Sequence, residues 1–212
     1  MKTKITLLVL TLCIGIIIFT GCSSASARGS SFQMAFSALY MNSTAIGEYG
    51  TALTNKMPEL TIDGNAPHFI PVFAGVVENN FETGVLHDPM MGLAGMMQMS
   101  MLVMSGDLDL VVATLDNAAR DARNDMFIPL DEIFTAEEMA AFGDRLLSFE
   151  HVDTDGFDTW PTGEMTPICG INITGNEDMR KIFGNQEIGV FIVANTGNLD
   201  LAKGVMLSLV GE

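Results

Sequence analysis

Short polar side chains follow four of the apolar segments that the sequence predicts to be β-strands. Such side chains donate and accept hydrogen bonds and suit a solute that is polar and uncharged, or cationic. Ligands of open α/β sheets bind beyond the carboxyl ends of the strands, so we expect these side chains to share a ligand-binding edge. The same residue types are common in loops and helix N-caps, which is the alternative explanation. The candidates are Asn42, Ser43, Glu78, Asn79, Asp116, Asn117, Asn195 and Thr196.

A ninth candidate is Trp160, the only tryptophan of the chain, which precedes Pro161 in a predicted acidic loop over residues 153–163. There it is expected to stack on a sugar or to cover the edge of the sheet. Tryptophan in loops also caps hydrophobic cores, and that alternative stays open.

Two segments have side chains that metals prefer. Thioethers bind Cu(I), and Met97 and Met101 share one face of a predicted helix over 89–104. The methionines of this segment spread around the helix, however, which favours a helix buried on several sides over a copper site. The acidic segment 153–163 fails the spacing of an EF-hand, because His151 falls at the first ligand position, so we expect a solvated loop. We predict neither a metal nor a cofactor.

Motifs of catalysis are missing from the sequence. It contains no Gly-x-Ser-x-Gly, no phosphate-binding Gly-rich loop and no His-Glu-x-x-His. Cys169 lies between Ile168 and Gly170 in an apolar stretch, where a thiol is expected to pack as a small core residue. We therefore expect a protein that is not an enzyme.

The N-terminus predicts a location. Lys2 and Lys4 precede an apolar run over 5–19, too short to span a bilayer comfortably, and the run leads to Phe-Thr-Gly-Cys. Small residues before a cysteine resemble the lipobox of bacterial lipoproteins, which implies that Cys22 becomes the lipidated first residue. The prediction is a signal peptide over 1–21, a flexible tether over 22–30 and one domain over 31–212, held on the extracytoplasmic face of the cell membrane. An uncleaved membrane anchor, or a cleaved signal with Cys22 incidental, is the alternative.

Composition limits the partners and fold of the exported part. The 212 residues are 48% hydrophobic and 17% charged, as expected for a folded domain rather than a disordered chain. The formal charge is −16, and it becomes −18 once the two lysines of the signal peptide are removed. A surface so acidic repels nucleic acid and anionic lipid headgroups, so neither is expected as a direct partner.

Strands and helices are predicted to alternate along the mature chain. The strand segments are nearly continuous in apolar residues, which is typical of a mainly parallel sheet covered by helices on both faces. Strands are expected over 31–40, 68–77, 108–115, 166–174 and 188–194. Helices are expected over 44–60, 89–104, 116–124, 135–149, 177–183 and 199–210. The fold class is therefore α/β with a mainly parallel five-stranded sheet.

Two segments also carry a family resemblance. Residues 104–113 run Met-Ser-Gly-Asp-Leu-Asp before a buried strand, and 127–134 contain Pro-Leu-Asp. Residues 188–196 form a late apolar strand that ends in Asn-Thr, followed by a helical segment. These phrases resemble extracellular solute-binding proteins of the type 2 periplasmic-binding fold, which clamp a ligand between two lobes. Here the sequence predicts one lobe.

The resemblance implies non-catalytic capture of a small polar solute and an ABC permease as partner. The alternative is a degenerate lobe that has lost its solute and serves as an interaction or structural module of the cell envelope. A metal-binding lipoprotein is the third hypothesis.

Overall fold

The computed structural model describes residues 31–75, 89–155 and 158–211. Cys22, Glu78 and Asn79, which carry three of the sequence predictions, lie outside the described residues.

The described chain forms an α/β fold with a six-stranded mixed sheet and a separate antiparallel hairpin. Order across the sheet is β2-β1-β3-β8-β7-β4. The strands of this sheet are β1 (Gln33–Ala38), β2 (His68–Phe73), β3 (Leu110–Thr114), β4 (Leu146–Leu147), β7 (Gly170–Asn172) and β8 (Ile188–Ile192). The hairpin consists of β5 (Glu150–Asp155) and β6 (Asp158–Met165). The helices are α1 (Ser43–Lys56), α2 (Pro89–Ser105), α3 (Leu115–Ala122), α4 (Ala136–Phe142), α5 (Glu177–Phe183) and α6 (Leu199–Val210).

Strand direction corrects the predicted sheet. β1 pairs in parallel with β2 and β3, as expected, but β8 is antiparallel to β3, β7 to β8, and β4 to β7. The sheet is thus mixed rather than mainly parallel, and it has six strands rather than five. The prediction of one direction was wrong because it assumed that every helical connection is a parallel crossover, whereas the connection through α5 joins the antiparallel neighbours β7 and β8.

Both faces of the sheet are covered. Side chains alternate between the faces, so Met34 and Phe36 of β1 enter one core cluster while Ala35 enters the other. The first cluster includes the apolar sides of α1, α5 and α6, and the second includes Met99 of α2 and residues of α3. Burial on both faces explains the nearly continuous apolar runs of the strands.

Local signals in the sequence mark several ends of helices. Thr135 and Glu138 form the predicted capping box of α4, and Gly106, predicted to close α2, has a φ of 73°. The helix expected over 135–149 instead ends at Phe142, where Gly143 takes a φ of 58°. The predicted loop over 153–163 was wrong as well, because its described residues, 153–155 and 158–163, belong to the hairpin of β5 and β6.

α2 lies unusually close to the end of β2. A Cβ atom added to Gly92 would collide with the carbonyl oxygen of Gly75, and one added to Gly95 would collide with that of Phe73. Two glycines one helical turn apart therefore allow the helix backbone to touch the strand end.

Candidate functional site

A crevice of about 710 Å³ opens where β1, β2 and β3 end. The chain leaves β1 toward α1 on one face of the sheet and leaves β3 toward α3 on the other, as the two core clusters show. The loops diverge at this switch point and leave room between them, which is where open α/β sheets bind ligands. The volume is within the usual range for small-molecule sites.

Polar side chains on the crevice wall come mostly from one short helix. α3 begins at the residue directly after the last residue of β3, so its first turn lies at the end of the strand. The polar residues lining the crevice are Thr114, Asp116, Asn117, Arg120, Arg123 and Gln186, with Tyr40 beside them.

Asn117 links two segments of the chain at the bottom of the crevice. It is buried, and its Nδ2 donates to Ser37 Oγ at 3.2 Å and to the Ala74 carbonyl oxygen at 2.9 Å. These bonds join the end of β1 to the chain that leaves β2. The predicted ligand residue thus lies at the crevice, but the hydrogen bonds of its amide group are made within the protein.

Arg120 is fixed by a buried carboxylate. Its Nε donates to Asp121 Oδ1 at 2.9 Å, and its Nη2 lies 2.7 Å from the same oxygen. Burial raises the pKa of the Asp121 carboxyl, and the charge of Arg120 and its hydrogen bond partly offset the effect. Asp121 Oδ2 is buried and has no hydrogen-bond partner among the described residues.

Arg123 is fixed by a different contact. Its Nε donates to the Glu150 carbonyl oxygen at 2.7 Å, which joins α3 to the hairpin. Over the described ranges, no carboxylate lies within ion-pair distance of this guanidinium. Its Nη groups therefore remain as hydrogen-bond donors at the crevice.

Three other predicted residues lie near the same edge. Asn42 follows β1, and its Oδ1 accepts from the backbone amides of Thr44 and Ala45 at 3.1 and 3.3 Å as the N-cap of α1. Ser43 is the exposed first residue of that helix. Asp116 is exposed in the first turn of α3 and lines the crevice. The N-cap explanation thus accounts for Asn42, and Asp116 remains able to contact a solute.

Asn195 and Thr196 do not join them. They follow β8, which is antiparallel to β3, so they lie at the opposite edge of the sheet. There Asn195 Nδ2 donates to the Val103 carbonyl oxygen at 2.6 Å. Thr196 Oγ1 donates to Asp109 Oδ1 at 2.6 Å. The expectation of a shared edge was wrong for this pair because it assumed that β8 is parallel.

Asp109 is the centre of a bonded cluster at that opposite edge. The side chain is 1% exposed. Its Oδ2 accepts from the Gln33 backbone amide at 2.9 Å, and both oxygens lie 3.2 Å from Asn198 Nδ2. We call Asp109, Thr196, Asn198 and the Gln33 amide the Asp109 cluster. The carboxylate oxygens accept hydrogen bonds from groups of the protein itself, so the cluster stabilises the fold.

Trp160 lies on β6, opposite Asp153 of β5, and its side chain is 46% exposed. It is therefore neither in a loop nor buried as a core cap. Among the described residues, those lining the crevice do not include it. The expected role over the sheet edge gains no support from this position.

The metal alternatives concern α2 and the hairpin. The described part of the chain contains no group of three or more His, Cys, Asp or Glu side chains that could hold a metal ion. The expectation that α2 is buried on several sides was wrong, because only part of the helix meets the sheet. Five large apolar side chains lie exposed at helical spacing along α2, and we call them the α2 stripe. They are Met90, Leu93, Met97, Met101 and Met104.

The crevice offers groups that form hydrogen bonds and carry charge. Its described lining has hydroxyl, amide, carboxylate and guanidinium groups, with no histidine or cysteine. Such groups can hold and orient a polar solute through hydrogen bonds and charge.

No family model matches this chain, and neither does a curated protein or a solved structure. The resemblance to extracellular solute-binding proteins therefore rests on the sequence phrases alone. Of helices in the described ranges, none has the length and apolar character needed to cross a bilayer.

Sequence reasoning missed Arg120, Arg123 and Gln186. A signal for the arginines was present: Asp116, Arg120 and Arg123 are spaced by four and three residues directly after a buried strand. That spacing places them on one side of a helix that begins at the sheet edge. Gln186 could not be found in this way, since it reaches the crevice only because β8 runs antiparallel.

Proposed function

We propose that the chain is a membrane-anchored bacterial lipoprotein that captures a small polar solute without chemical conversion, similar in role to the binding proteins of ABC importers. The crevice at the ends of β1, β2 and β3 carries this proposal. It has the volume of a small-molecule site, lies at the switch point of the sheet and is bordered by polar side chains.

The anchor is proposed to be a lipid on Cys22, with an ABC permease as the membrane partner. The test is membrane fractionation of the full chain after signal cleavage. Wild type is expected in the membrane fraction, and Cys22→Ala is expected in the soluble fraction. Membrane association of the cleaved Cys22→Ala protein would contradict the lipid anchor.

Solute capture is tested on the full chain in detergent by thermal unfolding, with sugars, amino acids, peptides and nucleosides. A solute at a hundred times its Kd stabilises the folded state by about 2.7 kcal/mol, which raises Tm by several degrees. Asp116→Trp places a large ring at the exposed crevice wall and is expected to abolish that rise. Asp131→Trp, at an exposed position away from the crevice, is the matched control and is expected to keep it. A rise that persists in Asp116→Trp would contradict the crevice as the site.

A second function, an interaction module of the cell envelope, is favoured by the α2 stripe. The stripe belongs to a helix of 17 residues without a charged side chain, and exposed Met-rich faces suit protein partners. Its test is site-directed crosslinking in membranes, with Met97→Gln combined with Met101→Gln. Loss of a crosslinked envelope protein in this variant, but not in Leu207→Gln at an exposed position on α6, would support this second function.

A further inference from the structure

We propose, building on solute capture at the crevice, that the bound solute carries an oxyanion, a carboxylate or a phosphate, and that Arg120 and Arg123 hold it. This replaces the solute class predicted from the sequence, which was polar and uncharged, or cationic.

Both guanidinium groups are positioned before any solute arrives. The Arg120 guanidinium is held on Asp121 through Nε and Nη2, and Nη2 is buried, whereas the Arg123 guanidinium is held on the Glu150 carbonyl oxygen through Nε alone. A guanidinium has five N–H donors in a planar fork, so Arg123 keeps both Nη groups, and Arg120 keeps Nη1, for a planar or tetrahedral oxyanion. Fixed side chains lose less conformational entropy when the solute binds.

The distribution of charge makes this placement notable. The chain has 26 acidic and 10 basic residues, yet two of the basic ones line the same crevice. Asp116 is the one carboxylate in the described lining, and it is exposed, whereas Arg120 and Arg123 are half-buried. Half-buried charge is screened less by water and salt, so the guanidinium groups have the larger effect on a solute inside the crevice.

The helix that carries the arginines also favours an anion. Thr114, the N-cap of α3, makes no capping bond with its side chain, and this end of the helix borders the crevice. The first turn of a helix is the positive end of its dipole. Because Asp121 offsets the charge of Arg120, the positive groups at the wall are this helix end and the Arg123 guanidinium, which has no ion-pair partner among the described residues.

The experiment is calorimetry on the full chain in detergent at low ionic strength, with matched probes. Succinate, its neutral analogue succinamide and the cationic putrescine share a carbon skeleton, and inorganic phosphate tests the second oxyanion. We expect binding of succinate or phosphate, and none of succinamide or putrescine. Whichever of succinate and phosphate binds more tightly shows whether the site prefers a carboxylate or a phosphate.

Variants locate the interaction. Arg123→Gln is expected to weaken binding of the oxyanion by about 10- to 100-fold, the usual effect of losing charge-assisted hydrogen bonds. Arg123→Lys, which keeps the charge but loses the fork, is expected to lie between Arg123→Gln and wild type. Arg180→Gln removes an equal charge at an exposed position on α5 and is expected to leave binding unchanged. Unliganded Tm values show that each variant is folded.

Three outcomes would overturn the proposal. Binding of succinamide or putrescine in place of the anions would contradict the oxyanion while leaving solute capture intact. Anion binding that survives Arg123→Gln would place the anion elsewhere. If no probe binds but a sugar or a nucleoside of the wider panel, which has no oxyanion, stabilises the protein, the oxyanion is wrong and capture stands; if that panel is silent too, both proposals fail.

Discussion

At the edge of the sheet where β1, β2 and β3 end, polar side chains border an open crevice, whereas at the other edge they bond to one another. The Asp109 cluster has a buried carboxylate whose oxygens accept from a backbone amide, a hydroxyl and a side-chain amide. At the crevice, the Nη groups of Arg123 have no partner within the described chain. Asn117 and Arg120 at the crevice are bonded within the protein too, so the difference between the two edges rests on the Nη groups of Arg123 and on the exposed Asp116. The Asp109 cluster stabilises the fold, and these groups are the ones that a solute is proposed to contact.

The largest expected effect comes from breaking the Asp109 cluster. Asp109→Ala leaves three half-buried donors without their acceptor, and we expect it to lower the free energy of unfolding by about 3 kcal/mol. Thr196→Val removes one donor and is expected to cost about 1 kcal/mol. Chemical denaturation monitored by circular dichroism measures both.

The control for this cluster is Asp107→Asn, two residues away and half-buried, with an expected change below about 0.5 kcal/mol. An Asp109→Ala protein as stable as the control would show that the two edges do not differ in the proposed way.

The next effect concerns the contact between α2 and the end of β2. Gly95→Ala forces a methyl group against the Phe73 carbonyl oxygen and should separate α2 from β2, at a cost of about 1–3 kcal/mol. Gly47→Ala in exposed α1 meets nothing within 4 Å and is expected to stabilise the protein by about 0.5–1 kcal/mol. Thermal unfolding compares the two. Equal changes in both variants would contradict a backbone contact between α2 and the end of β2.

The smallest effect is a dependence of stability on pH. Burial raises the pKa of Asp121 in the folded protein above its ordinary value of 3.8. Between the ordinary pKa and the raised pKa, the folded protein therefore binds more protons than the unfolded chain. The stability from this group is present below the unfolded pKa and is lost as pH rises through the raised pKa. Asp121→Asn removes this titration, so the variant should gain stability relative to wild type as pH rises from acidic to neutral.

Denaturation of both proteins across that range tests the sign. Asp131→Asn, at an exposed carboxyl, is the matched control and is expected to show no such relative gain. A relative loss in Asp121→Asn would mean that the contact with Arg120 outweighs burial.

Local features of the fold were predictable because their causes are local. The apolar runs located the five main strands, and Thr135 with Glu138 located the start of α4. The direction of β8 was not predictable, since it depends on packing beside β3 after a long connection. The hairpin was missed because its strands are polar and lack a buried face in the sequence pattern.

The same division holds for the candidate site. Asp116 and Asn117 were found because the position after a buried parallel strand is defined by sequence. Asn195 and Thr196 were misplaced because their edge depends on strand direction. The guanidinium groups were missed because Arg120 and Arg123 lie beyond the first turn of α3, where the end of a strand no longer marks the position.

The direction of β1 also has a consequence for the proposed anchor. The chain enters β1 from its N-terminal side at the edge of the Asp109 cluster, and β1 extends about 20 Å before reaching the crevice. A protein anchored through Cys22 would therefore carry its crevice on the side remote from the attachment point. The nine residues from 22 to 30 reach at most about 30 Å, so the domain could turn over but could not travel far. An upright molecule would collect solute from the outside, and delivery to a permease would require it to tip toward the bilayer.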